Sequence, residues 1–208
     1  MYKKVLASVC IVLGLSAGTA HASLYTPFGA QTNVGLSTVT GGGWTQCYAA
    51  TMGAAIGTNA QNVLSNCTGD LLMMAGRVTG SDTFLVLAET TLSDAILNTG
   101  VGTSNTHLSN GANWYFSPSW SWGFTAVNDA VSLNSCDTSS SPTSMCLHTL
   151  NGTCGYRINN ITGLNSSTTY EKVFFVASAQ NNVPEPGSLA LIGLGLAGLA
   201  VVRRRKSV

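Results

Sequence analysis

Apolar positions in this chain come in short runs separated by turn chemistry, and the runs read as strands. Residues 71–78 (LLMMAGRV), 83–87 (TFLVL), 112–126, 130–133, 155–158 and 172–177 (KVFFVA) are the apolar, aromatic or β-branched segments. Between them fall Thr79-Gly80-Ser81-Asp82, Asn98-Thr99-Gly100, Asn110-Gly111, Asn151-Gly152 and Asn159-Asn160, residue types that adopt turn conformations at little cost. No long stretch holds a 3.6-residue apolar period. The pattern therefore predicts an all-β fold, a single sandwich or jelly-roll-like domain.

One segment alternates strictly. In ANWYFSPSWSWGFTA the even positions are Ala112, Trp114, Phe116, Pro118, Trp120, Trp122, Phe124 and Ala126, whereas Ser117, Ser119, Ser121 and Thr125 are odd. Successive strand side chains point to opposite faces, so every Trp and Phe of the run falls on one side. Pro118 marks an edge, bend or bulge. Such a face fits the inside of a sandwich. The alternative is an aromatic platform for sugar rings, with Trp114, Trp120 and Trp122 as the ligand face.

The two ends depart from this pattern. Residues 1–22 begin with Lys3 and Lys4, continue in an apolar run of about 11 residues, and close on Ala20-His21-Ala22, the three parts of a secretory signal peptide. Signal peptidase and the secretion translocon are its expected partners. At the other end, Val183-Pro184-Glu185-Pro186 precedes the apolar residues 187–202 and the basic cluster Arg203, Arg204, Arg205 and Lys206. Sixteen helical residues span roughly 24 Å, slightly short of a bilayer core. The flanking bases fit a cytoplasmic end, and four glycines in the run suit lipid better than a soluble core. The exported domain is thus bounded at residues 23–182, with residues 183–208 as a C-terminal appendage.

Setting the ends aside changes the charge. The chain is formally +1, yet between residues 23 and 183 only Arg77, Arg157 and Lys172 face seven acids, leaving −4. Little basic charge is available for phosphates, which argues against nucleic acid as a partner. Five cysteines lie in the exported part: Cys47, Cys67, Cys136, Cys146 and Cys154. In an oxidising compartment they predict disulfides, Cys47 with Cys67 and one pair among the other three. No C-x-x-C occurs, and His107 and His148 are the only exported histidines, so no metal or cofactor is expected. No G-x-S-x-G, H-E-x-x-H or phosphate-binding loop is present, and Asp137-Thr138-Ser139-Ser140-Ser141 is a chance adhesion-motif match in a Ser-rich loop. A secreted hydrolase is the weaker alternative, with Asp82 and Glu89, or Asp129, as its carboxylates.

The order V-P-E-P, Gly-rich apolar helix, R-R-R-K, terminus closely resembles the PEP-CTERM sorting signal of Gram-negative bacteria, the substrate tail of exosortases. The resemblance implies that Pro184, Glu185 and Pro186 form the processing motif, that residues 187–202 span the membrane lipid transiently, and that Arg203–Lys206 stop at the cytoplasmic face. It implies anchoring in the inner membrane, then a cell-surface or extracellular location, often with extracellular polysaccharide. The segments GGWTQCY (42–48), SWSWGF (119–124), NSCDT (134–138) and residues 155–171 more faintly resemble exported bacterial domains that carry no assigned activity. The expectation is a structural or adhesive surface protein that is not an enzyme.

Overall fold

The computed structural model describes residues 23–131, 142–150 and 154–179, all within the unit that runs from Ala22 to Gln180. Two five-stranded antiparallel sheets account for the strands among the described residues. In the first, β1 (Val34–Gly35), β4 (Thr83–Thr91), β3 (Leu71–Val78), β10 (Tyr170–Ala177) and β2 (Thr45–Thr51) lie side by side in that order. In the second, β5 (His107–Ser109), β6 (Ala112–Phe116), β7 (Ser121–Ala126), β8 (Met145–His148) and β9 (Gly155–Ile158) follow in chain order. The sandwich expectation holds. The second sheet is a simple meander rather than the interleaved Greek keys of a jelly roll.

The central strands of the first sheet are buried on both faces, which is why their sequences are almost continuously apolar. In β3, Leu72 and Met74 face the second sheet while Met73 and Ala75 face away, and in β10 Phe174 faces in while Val173 and Phe175 face away. The outward side is covered by the short helix α1 (Leu36–Gly41), which contributes Val39, and by the segment carrying Leu24 and Tyr25. Trp44 locks this cover, its indole Nε1 donating to the Tyr25 carbonyl at 2.6 Å while Tyr25 N–H donates to Gly42 O at 2.9 Å. On the same outward side, the cross-strand pair Arg77 and Glu171 is joined at 2.6 Å, with the guanidinium over the Phe84 ring.

The alternating aromatic run is a hairpin, not one strand. β6 and β7 pair with Trp114 opposite Phe124 and Phe116 opposite Trp122, and residues 117–120 make the connection, with Ser119 at φ 58°. The connection contains four residues, so the even-odd phase survives it. Trp114, Trp122 and Phe124 are 0% exposed and Phe116 is 6%. Trp122 meets Phe174 of the other sheet at 5.1 Å between ring centroids. Each buried Trp contributes roughly 4–6 kcal/mol of transfer free energy.

Other expectations need adjusting. Residues 71–78 and 155–158 are strands as predicted, 83–87 extends to Thr91, and 172–177 begins two residues earlier. Ala130 and Val131 are irregular, and the rest of that expected strand lies outside the described residues. β2, β5 and β8 carry no strand signal in their sequences. Asn110-Gly111 forms the expected two-residue turn, both residues at positive φ (43° and 72°), between β5 and β6. Two further short helices, α2 (Gln61–Leu64) and α3 (Leu92–Ala95), sit in connections. Among the described residues no helix is long and apolar enough to cross a membrane.

Candidate functional site

The tryptophan face proposed for a ligand is the core itself. Trp114 and Trp122 point between the sheets, and Trp122 Nε1 donates to the Ala95 carbonyl at 2.8 Å. Trp120 leaves that face entirely: it sits in the hairpin connection and packs, half-buried, on the opposite side of the sheet with Tyr115, Val131, Cys146 and Tyr156. Tyr115 lies there across Gly123, where a Cβ would collide with its hydroxyl and with the Met145 carbonyl. Burying both sides of the hairpin outweighs any platform, because exposing two indoles forfeits several kcal/mol.

The carboxylate pair is also separated. Asp82 and Glu89 stand at opposite ends of β4, about 23 Å apart at strand rise, too far to flank one glycosidic bond. Asp129 accepts a hydrogen bond from Thr125 Oγ1 at 3.1 Å. Glu89 is instead buried at 5% exposure. Asn110 Nδ2 donates to its Oε1 at 2.7 Å and to the Pro27 carbonyl at 2.8 Å. Desolvation pushes the Glu89 carboxyl up to about 7.

Cys47 and Cys67 form a disulfide with Cα atoms 5.0 Å apart, as expected. Cys146 is also disulfide-bonded, while Cys136 lies outside the described residues. Cys154 keeps its thiol and is half-buried.

Three polar constellations were not anticipated. Lys172 shares the inward face of β10 with Phe174 and is 0% exposed. Its ammonium donates to the carbonyls of Thr51 (2.7 Å), Met52 (3.2 Å) and Ala54. Burial pulls this amine down to about 8, partly opposed by Cys154. The signal was available, since Lys172 is the only lysine between residues 23 and 182 and has the same strand parity as Phe174. The second constellation joins the sheets at β5. Asp94 Oδ1 meets His107 Nε2 at 3.0 Å, Ser109 Oγ donates to Asp94 Oδ2 at 2.8 Å, and Thr90 and Ser109 hydroxyls lie 2.6 Å apart. The Ser109 hydrogen bond leads the causes that hold the Asp94 carboxyl below its ordinary range. The serine bonds the carboxylate rather than the imidazole, so the group ties β5 to α3 and is not ordered as a nucleophile with its base. In the third, His148 rests against the Tyr156 ring, and burial lowers its basicity.

One cleft of about 280 Å³ opens at the end of the first sheet, lined by Leu24, Gly43, Thr45, Thr68, Gly69 and Val176–Ser178. The β2 start and the β10 end form its walls, Thr45 pairing with Val176. Beside it Ala179 N–H donates to Asp70 Oδ2 at 2.9 Å. The first and last described segments therefore meet at this cleft.

The fold defines a disulfide-stapled β-sandwich with its aromatic face turned inward. The segment C-terminal to the sandwich defines its destination: residues 182–206 match the family model of the PEP-CTERM protein-sorting motif. Pro184, Glu185, Pro186, the basic residues Arg203–Lys206, the apolar residues 187–202 and the signal-like residues 1–22 all lie outside the described residues. The motif marks an exported, surface-destined chain that is membrane-anchored and then processed, with an exosortase as its processing partner. No curated protein matches the chain, and no solved structure does.

Proposed function

We propose that residues 23–182 are a structural or adhesive domain, displayed at the cell surface or in extracellular matrix once the tail is processed, with no catalytic step of its own. The sorting motif at residues 182–206 carries this reading. The sandwich supports it: the Cys47–Cys67 staple and a core that takes in the large aromatic side chains suit a domain that must persist outside the cell. The exported part has a net charge of −4 and a surface rich in Ser, Thr and Asn. Such a surface fits a hydroxyl-rich partner such as extracellular polysaccharide better than a polyanion.

The test combines export and binding. Cells producing the full chain are fractionated, and the purified surface form is screened against extracellular polysaccharide from the same cells and against immobilised glycans. Retention with the matrix, lost when the domain is replaced by an unrelated exported one, supports the reading. Equal retention of the replacement overturns it. Turnover of a glycan or peptide substrate by the purified form would instead favour the hydrolase reading.

A further inference from the structure

The first and last described segments of the exported part open on one face. Leu24 and Ser178 line the same cleft, Tyr25 is pinned beside it through Gly42 and Trp44, and Ala179 is held by Asp70. Only Gln180, Asn181, Asn182 and Val183 separate Ala179 from Pro184. Five Cα steps reach at most about 17 Å, comparable with the radius of gyration of about 15 Å expected for a domain of this length. An enzyme acting at Pro184–Pro186 therefore works within about one domain radius of Ala179, where the chain leaves this face.

We propose that this face, formed by the cleft and its rim at Thr45, Thr68 and Asp70, is the surface against which the membrane-embedded processing enzyme docks. The inference rests on the reading that the tail is processed, and adds that the folded domain as well as the motif sets the processing rate. Apart from Asp70 the rim and lining carry no charge, and Thr45 and Thr68 are exposed. The partner that fits is an enzyme whose outer face around its active site is polar and not strongly acidic. Lipid headgroups fit less well, since the face offers no lysine or arginine to hold an anionic surface.

The test uses the full chain in cells that carry the processing enzyme, following the processed fraction by pulse-chase and intact mass. T45R/T68R places two cations on the exposed rim, which docking must then desolvate. V78R places one at the opposite end of β3, about 23 Å away, on a side chain that is 41% exposed. Processing of T45R/T68R is expected to slow several-fold while V78R keeps the parent rate. A Gly/Ser spacer of about 20 residues inserted after Ala179 is expected to restore T45R/T68R, because it lets the domain back away. Equal rates for T45R/T68R and V78R overturn the proposal. So does a slow T45R/T68R that the spacer fails to rescue, which would place the defect in folding. A parent chain that is never processed removes the underlying sorting reading instead, and this docking with it.

Discussion

Glu89 gives the exported domain a pH dependence that can be worked out from its surroundings. Its carboxyl accepts from Asn110 Nδ2, which also donates to the Pro27 carbonyl, and burial raises its pKa from 4.5 to about 7. The folded state then binds more protons than the unfolded chain between those values, so stability falls as pH rises through that window and is level above it. A displacement of this size is worth on the order of 3 kcal/mol. Glu89→Gln keeps the acceptor for Asn110 and removes the ionisation. In urea denaturation with disulfides intact, the variant is expected to match the parent near pH 4.5 and to exceed it by up to about 3 kcal/mol at pH 8. His148 works in the other direction: burial lowers its basicity, so its contribution is lost as pH falls below its unfolded pKa. Comparing parent with variant at each pH cancels that contribution. Parallel stability profiles for the two proteins across the window would refute the reasoning.

Replacing Cys67 by Ser opens a loop of 20-residue separation and is expected to cost about 3 kcal/mol, seen as a lower denaturant midpoint under oxidising conditions and no difference after reduction of both proteins. Trp122→Ala empties the site between Phe116 and Phe174 and leaves the Ala95 carbonyl without its donor; a loss of about 3–5 kcal/mol is expected, and an unchanged midpoint would place Trp122 at the surface. Asp94→Asn removes a carboxylate whose pKa is lowered in the fold. Its contribution is present above the unfolded pKa and lost as pH falls through the folded one, so the difference from the parent is expected to shrink on acidification below about pH 4.

Strands whose both faces are buried are the most legible, because LLMMAGRV and KVFFVA leave little alternative to a central strand. The 112–126 hairpin reads as one strand for a geometric reason. A connection of four residues keeps the even-odd phase, so periodicity alone cannot see it, and only Pro118 hints at a break. β2 (TQCYAAT) escapes notice because it is an edge strand with exposed and half-buried positions, where packing imposes no pattern. The Cys47–Cys67 bridge is readable from proximity in sequence. The contacts of Asp94 with His107 and of Glu89 with Asn110 are not, since they join separate elements and exist only once the sheets are laid together. Lys172 lies between: its strand and parity are visible, but its carbonyl partners at the end of β2 and in the turn after it are not.

The central claim is that this sandwich is delivered outside the cell by a tail that is then processed. Intact-mass measurement of the surface or extracellular form tests it most directly. The account predicts a chain that lacks residues 187–208, absent from cells without the processing enzyme. A mass that still includes residues 187–208 in cells with the enzyme would contradict it and make the tail a permanent anchor.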